Sequence, residues 1–343
     1  MTRARRARRI ALWGGGTIGA LAATGSGALA GVFYAETKLA RRRIPQATGL
    51  PPVTHGTTWA ADGVSRSRTP IRLAWLGDST AAGYGVLHDR DTPAAQLAIG
   101  ISEAARRPVL VTNVAVVGAR AAQLPDQLTQ LRAMGRDRPD LAVIMVGAND
   151  VTARVSPSDA VPFLEEVVRL LVAAGVEVVV GTCPDFGTIR PLSQPLRWYA
   201  RRLSREMARE QTVAVVRAGG RTVSLGDLLG PLFMTRLDLF SEDKFHPSAA
   251  GYAEAAAAVL PSALDALGLR TRARSASPFT TRRVKSVTRA AAQAASRPGS
   301  EVVPAERFGK AENRNGPLAQ LRRRLPRRRR TPPASPDAAV PLG

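Results

Sequence analysis

The feature that most constrains the fold is a regular alternation of short apolar runs with longer segments of helical spacing between residues 71 and 260. The predicted strands are Ile71–Leu76, Val109–Val117, Leu141–Val146, Val176–Thr182 and Thr212–Arg217. The predicted helices are Pro93–Arg106, Leu124–Met134, Val161–Ala174, Leu196–Glu210 and Pro247–Leu260, with Pro261 expected to end or kink the last one. Right-handed crossovers place helices on both faces of a parallel sheet, so this order predicts an α/β fold with five parallel strands.

The length of 343 residues leaves room for one α/β domain and two appendages. Shifts in composition predict four segments. They are a basic N terminus with a transmembrane or signal segment (1–43), a linker rich in Pro and Gly (44–70), the α/β domain (71–270) and a basic, disordered tail (271–343).

The net charge of +22 is concentrated at the two ends of the chain. Residues 1–43 carry a net +8 and residues 271–343 a net +13, whereas residues 44–270 hold 23 basic and 22 acidic residues. A nucleic-acid reader normally has its basic patch on the folded domain. The nearly neutral middle therefore favours an enzyme for small molecules, and nucleic acid is an unlikely partner.

The N-terminal segment predicts a connection to a membrane. Five arginines precede Ile10–Ala35, a charge-free run of 26 residues, which exceeds the ~20 residues that a membrane-spanning helix needs. Lys38 and Arg41–Arg43 follow it like a stop signal, and the slight excess of positive charge before the run places the catalytic domain outside the cytoplasm. A single-pass anchor in the cell membrane is favoured. The alternative is secretion after cleavage near Ala28–Ala30.

The tail after Arg270 is rich in Ser, Ala, Pro and Arg and is too polar to bury a core. The simplest interpretation is a solvated segment that repels itself. The functional alternative is binding to an anionic lipid surface or an acidic envelope polymer.

Cys183 is the single cysteine of the chain. It excludes an intramolecular disulfide, a CxxC redox pair and a structural zinc site built from cysteines. We expect neither a metal nor an organic cofactor.

The candidate catalytic residues begin with Ser79, which directly follows the first predicted strand in Gly77-Asp78-Ser79. This position is at the carboxyl edge of a parallel sheet, where ligands bind. A serine there is suited to be a nucleophile, although a helix-capping serine is the common alternative.

A serine nucleophile needs a base with a pKa near 7, and the chain has three histidines. His55 lies in the predicted linker and His88 in a polar loop. His246 has Asp243 three residues before it, close enough to orient the imidazole and to stabilise its charged form. The alternative for this pair is a capping turn before the last helix.

Four blocks between Leu73 and Tyr252 resemble the GDSL/SGNH hydrolase family in their order and spacing. They are Gly77 to Thr80, Asn113 to Gly118, Gly147 to Asp150, and Asp243 to His246 with the following proline. Two departures are modest: Thr80 stands where the family name has leucine, and Val116 and Val117 precede the glycine of the second block.

The resemblance implies a role for each matching residue. Ser79 would be the nucleophile, His246 the base and Asp243 its orienting acid. The oxyanion hole would consist of the backbone N–H groups of Ser79 and Gly118 and the side chain of Asn149. Asp78 and Asp150 would order loops, with Asp150 as the weaker competitor for the acid of the triad. The implied fold is a three-layer α/β/α, flavodoxin-like sandwich with a five-stranded parallel sheet.

These expectations define a serine ester hydrolase that works through an acyl-enzyme on a small-molecule ester. Lipid esters, lysophospholipids and O-acetylated sugars are the candidate substrates. One alternative is an acyltransferase with the same triad. Another is an inactive, membrane-tethered scaffold whose basic tail holds an anionic partner.

Overall fold

The computed structural model describes residues 35, 36, 38, 39 and 42, residues 49–134 and 137–269, and the backbone of 301–302. All of them belong to one compact unit that ends at Pro304. The predicted anchor, except Ala35, and nearly all of the tail lie outside the described residues, so both stay predictions. Among the described residues, none of the helices combines the length and apolar character that a membrane span requires.

A seven-stranded sheet forms the centre of the unit. Its strands are β1 (Thr58–Trp59), β2 (Ile71–Gly77), β3 (Val109–Asn113), β4 (Leu141–Met145), β5 (Glu177–Gly181), β6 (Arg221–Val223) and β7 (Glu301–Val302). The spatial order is β1-β3-β2-β4-β5-β6-β7, in which β2 to β6 run parallel and the two edge strands run antiparallel. The predicted core of five parallel strands is confirmed, and each edge gains a two-residue strand.

Helices cover both faces of this sheet. They are α1 (Ser79–Ala82), α2 (Pro93–Ala105), α3 (Leu124–Met134), α4 (Ala148–Thr152), α5 (Pro157–Ala173), α6 (Leu196–Arg217), α7 (Leu225–Thr235) and α8 (Ala249–Ala266). Alternate residues of β2 face opposite layers: Leu73 and Trp75 pack with α2 and α8, whereas Ala74 and Leu76 pack with α3, α5 and α6. The three-layer α/β/α architecture is therefore confirmed.

One predicted strand near the end of the domain is wrong. Thr212–Arg217 is the last part of helix α6, and the fifth parallel strand is β6, which has only three residues. The β-branched residues of that segment favour a strand locally, but Val215 is completely buried in the helical layer, so tertiary packing overrides the local preference. Helix α8 continues through Pro261 to Ala266, so of the two outcomes predicted for this proline, an end and a kink, the end does not occur.

The predicted linker 44–70 is partly incorporated into the fold. Strand β1 pairs with β3, and buried Thr54 accepts a hydrogen bond from Asn113 Nδ2 at 2.9 Å. The domain therefore begins before residue 71, because this segment covers the open edge of β3. At the opposite edge, Glu301–Val302 of the predicted disordered tail pairs with β6, so the tail differs from the prediction at these two residues.

Candidate active site

Ser79 lies where β2 ends and the short helix α1 begins. Gly77 adopts φ +138°, and a Cβ at this position would collide with the carbonyl oxygen of Met145 on β4. Asp78 caps α1, because its carboxylate accepts the N–H of Thr80 at 3.0 Å. This tight turn places Ser79 at the carboxyl edge of the sheet, with only 6% of the residue exposed.

His246 lies in a closed loop before α8, residues 241–247, which we name the histidine loop. The N–H of Ser241 donates to the carbonyl of His246 at 2.8 Å, so the two ends of the loop are tied together. Phe240 and Pro247 form an isolated antiparallel bridge around the same loop. The imidazole is therefore held in one position, and its side chain is 13% exposed.

The structure brings Ser79, His246 and Asp243 together in one chain of contacts. Nε2 of His246 lies 2.9 Å from Oγ of Ser79, and Nδ1 lies 2.6 Å from Oδ2 of Asp243. A histidine with a carboxylate at Nδ1 carries its proton there and presents Nε2 as an acceptor. This arrangement can take a proton from the serine hydroxyl.

Asp243 is buried but holds its charge. Burial by itself raises the pKa of this carboxyl, but hydrogen bonds from His246, Ser241 and Phe245 outweigh it and lower the pKa to about 2. Oδ1 accepts the hydroxyl of Ser241 at 2.7 Å and the N–H groups of Phe245 and His246 at 2.9 and 2.8 Å. The carboxylate is therefore ionised at neutral pH and stabilises a protonated His246.

Asp150, the competing acid, has a different partner. Its two carboxylate oxygens lie 3.3 and 3.1 Å from the backbone nitrogen of Ala121. Burial raises the pKa of Asp150. The carboxylate next to His246 is that of Asp243, and Asp150 orders the loop after β3, as expected.

The three predicted oxyanion-hole groups follow β2, β3 and β4 at the same edge. The N–H of Ser79 belongs to the first turn of α1. Gly118 is exposed and has φ +82°, and no described atom lies within 4 Å of an added Cβ. Asn149 donates one hydrogen of Nδ2 to the carbonyl of Ala119 at 3.0 Å, which leaves its second N–H for a ligand. Their roles stay predictions.

The other two histidines are exposed: His55 precedes β1, and His88 lies in the loop after α1. Cys183 is a buried free thiol whose pKa is raised well above its usual value by burial.

Several supporting residues were missed by the sequence analysis. Gln127 bridges Gly77, since its side chain accepts the N–H and donates to the carbonyl of that glycine, both at 2.8 Å. Gln211 donates to Val146 and accepts from Cys183. Gln127 lies on the apolar face of the predicted helix Leu124–Met134, whereas Gln211 directly follows the predicted helix Leu196–Glu210. A polar residue among buried leucines and valines was the available signal.

An apolar cavity of about 80 Å³ lies beside this site. Its wall includes neighbours of both reacting residues, Asp78 and Thr80 on one side and Phe245 and Pro247 on the other. The remainder of the wall is mainly apolar, with Leu225, Leu229, Phe186, Phe233 and Phe240 among its residues.

A hydrolytic α/β/α protein is the class that this fold and this arrangement of side chains define. The sequence model of the GDSL-like lipase/acylhydrolase family matches residues 75–254, more than half of the chain. The GDSL-like esterase Rv1075c of Mycobacterium tuberculosis is 39% identical over 259 residues, which cover 73% of this chain and 82% of that protein. The chain therefore belongs to the GDSL-like lipase/acylhydrolase family and is a hydrolase that acts on ester bonds.

Solved structures with a similar arrangement have lower identity. The crystal structure of TesA is 21% identical, covers 57% of this chain and 99% of its own, and aligns with a TM-score of 0.47. A member of the lipolytic G-D-S-L family from Veillonella parvula is 15% identical, covers 55% of this chain and 96% of its own, and aligns with a TM-score of 0.46.

Proposed function

We propose that the protein cleaves carboxylic esters through an acyl-enzyme on Ser79. The observation that carries the proposal is the pair of contacts of His246, with Ser79 Oγ at 2.9 Å from Nε2 and Asp243 Oδ2 at 2.6 Å from Nδ1. Nε2 accepts the hydroxyl proton as Ser79 Oγ attacks the ester carbonyl. Asp243 keeps the tautomer fixed and stabilises the imidazolium that forms.

The tetrahedral intermediate carries a negative oxygen that needs donors. The N–H groups of Ser79 and Gly118 and the second amide hydrogen of Asn149 would supply them, because all three follow strands that end at the same edge. Collapse of the intermediate breaks the ester C–O bond, and His246 gives its proton to the departing alcohol. A water that His246 deprotonates then releases the acid and regenerates Ser79.

The substrate class follows from the proposed location and from the wall of the site. Lipid esters, lysophospholipids and O-acetylated sugars are the candidates, and the apolar cavity beside the site favours an ester with an apolar portion. In our proposal the segment Ile10–Ala35 anchors the enzyme in the cell membrane with the catalytic domain outside the cytoplasm.

Hydrolysis of p-nitrophenyl esters, from acetate to palmitate, tests the chemistry on the full chain in detergent. We expect Ser79→Ala and His246→Ala to abolish turnover. The matched variants Ser158→Ala and His88→Ala change an exposed serine and an exposed histidine and should leave it intact. Trapping with a fluorophosphonate should label the parent chain and not Ser79→Ala. Persistent hydrolysis in Ser79→Ala would contradict the proposed nucleophile.

The anchor is tested separately by alkaline carbonate extraction of membranes and by the mass of the mature chain. Retention in the membrane pellet with an intact N terminus supports the anchor. Release of a shortened chain into the medium would replace it with secretion after cleavage.

A further inference from the structure

The N-terminal half of helix α6 has a basic and aromatic surface that the proposed chemistry does not use. Its first ten residues, Leu196–Arg205, hold four arginines and no acidic residue, in a domain that is otherwise nearly neutral. Trp198 lies among them and is 58% exposed. A tryptophan prefers an environment that is apolar on one side and wet on the other.

The four arginines divide into two pairs. Nε of Arg201 and Nε of Arg205 lie 3.3 and 3.1 Å from the same buried Asp185 carboxylate, and Nη2 of Arg205 lies 3.8 Å from Asp227 Oδ1, so this pair faces two negative charges. In the described part of the chain, no carboxylate forms a salt bridge with Arg197 or Arg202. The surface around Trp198 therefore keeps a net positive charge.

The chain enters this surface directly from the proposed anchor. A carboxylate oxygen of Glu36 accepts the N–H of Leu196 at 2.9 Å, which joins it to the first turn of α6. Glu36 is the residue that follows Ile10–Ala35 in the sequence. Lys38 and Arg42 are exposed and add two positive charges close to this point in the chain.

We propose that this corner of the domain docks on the anionic headgroups of the bilayer that holds Ile10–Ala35. The docking surface consists of Lys38, Arg42, Arg197, Trp198 and Arg202. Basic residues close to a membrane-spanning segment are attracted to anionic lipids, and an exposed tryptophan sits at the headgroup level. The inference rests on the proposed anchor, and it fixes which side of the catalytic domain faces the lipid.

This orientation brings the catalytic edge of the sheet near the bilayer. Helix α6 begins after the carboxyl end of β5, and Ser204 Oγ in its third turn accepts the N–H of Phe186 at 3.1 Å. The Phe186 ring contacts that of Phe245, with centroids 5.8 Å apart, and Phe245 contacts His246 at 5.1 Å. A docked α6 therefore holds the histidine loop close to the surface from which a lipid ester would come.

The test places an environment-sensitive fluorophore on one introduced cysteine in the full chain, reconstituted into vesicles. Cys183 is buried and does not compete for the label. The reporting position is Trp198→Cys. The control is Glu103→Cys, which is exposed on α2 in the opposite helical layer. Vesicles are phosphatidylcholine alone or phosphatidylcholine with one quarter phosphatidylglycerol.

We expect the label at position 198 to shift to the blue and to brighten at least twofold in the anionic vesicles, with no change at position 103. Adding Arg197→Gln and Arg202→Gln should remove most of this response, whereas Arg90→Gln with Arg132→Gln, the same loss of charge elsewhere, should preserve it.

An equal response at both positions, or no response at 198 in chains that float with the vesicles, overturns the docking surface. The same response in neutral vesicles overturns the role of anionic lipid. Chains that fail to float with either kind of vesicle overturn the anchor and, with it, the docking. None of these readouts depends on esterase activity, so failure of the proposed chemistry is seen separately in the ester assay.

Discussion

The pKa values of two buried aspartates beside the candidate site are shifted in opposite directions. Asp78 and Asp243 are each only 2% exposed. Burial raises the pKa of Asp78 to about 6, and its hydrogen bonds from backbone N–H groups offset this only in part. Burial also raises the pKa of Asp243, but hydrogen bonds from His246, Ser241 and two backbone groups outweigh it and lower the pKa to about 2. Hydrogen bonds to the charged form outweigh burial at Asp243 and do not outweigh it at Asp78.

The difference matters because both carboxylates act on His246. A charged Asp243 in contact with Nδ1 stabilises the imidazolium. Asp78 at the end of β2 joins two of the four sequence blocks, since it accepts N–H groups from Thr80 and Ala148. The histidine loop therefore holds a carboxylate that is charged at neutral pH, whereas the turn after β2 holds Asp78, whose pKa is about 6.

The largest effect should come from neutralising the carboxylate of Asp243. Asp243→Asn keeps the shape but favours the wrong tautomer of His246, so we expect kcat to fall by about 10⁴. The measurement is p-nitrophenyl ester hydrolysis at pH 7, with circular dichroism to verify the fold. A loss below tenfold would show that Asp243 is not the orienting acid.

The matched variant is Asp78→Asn, which imitates the protonated acid. Its kcat should stay within about tenfold of the parent, because Asp78 makes no hydrogen bond to His246 in the structure. Equal losses in the two variants would remove the distinction between the two carboxylates.

The next largest effect concerns Asn149, which lies in α4 just after β4. Asn149→Ala removes one proposed donor to the developing oxyanion, and loss of such a donor typically lowers kcat by about 10² to 10³. We expect KM to change little, because the donor acts mainly in the transition state. A rise in KM with unchanged kcat would assign Asn149 to ground-state binding. Loss of its bond to Ala119 is monitored by the thermal midpoint.

The sequence predicts the centre of this fold better than its ends. Strands β2 to β5 are runs of apolar residues that follow turns, and helix α3 was predicted with its observed bounds, Leu124–Met134. Helix α6 was cut short because Thr212, Val213, Val215 and Val216 favour a strand locally, and their burial against the sheet depends on contacts distant in the chain. Strand β1 has two residues, too few for any periodic pattern.

The candidate site, like the fold, could be predicted from the sequence only in part. Ser79, His246 and Asp243 were named as candidates because four short blocks together resemble one family in order and spacing, although each of the two blocks that hold them has, alone, a common alternative as a helix cap or a capping turn. The opposite pKa shifts of Asp78 and Asp243 could not be predicted, because they depend on which N–H groups and hydroxyls converge on each carboxylate in three dimensions. Gln127 and Gln211 were missed for a related reason, since their partners lie on other strands.

A third prediction concerns the dependence of stability on pH. Unfolded Asp78 loses its proton near pH 3.8, whereas the folded protein holds it up to about pH 6. The folded state therefore binds more protons between these values, and stability falls as the pH rises through this window. The shift of about 2 pKa units corresponds to about 3 kcal/mol. In Asp78→Asn this group cannot titrate, so its contribution to the fall in stability is absent.

Urea denaturation at pH 4 and pH 7 measures this effect. We expect the free energy of unfolding of Asp78→Asn, minus that of the parent, to be more favourable at pH 7 than at pH 4 by about 2 kcal/mol, because part of the window lies below pH 4. Comparing two pH values cancels any constant effect of the amide. A difference that is independent of pH would mean that Asp78 is ionised in the folded protein throughout this range.

The smallest effect tests whether the number of donors sets the charge of Asp243. Ser241→Ala removes the hydroxyl that donates to Oδ1 at 2.7 Å and leaves the two backbone donors and the contact with His246. A hydrogen bond to a charged group is worth about 2 kcal/mol, so the free energy of unfolding should fall by about that amount at pH 7. The folded pKa of Asp243 should rise toward its unfolded value, because one donor to the charged form is lost.

The stability that comes from a depressed acid pKa is present above the unfolded pKa and disappears as the pH falls through the folded one. The deficit of Ser241→Ala should therefore shrink between pH 4 and pH 2, and kcat at pH 7 should drop less than tenfold. A deficit that stays constant with pH would indicate that Ser241 supports the loop by packing alone, and that the backbone donors suffice to keep Asp243 charged.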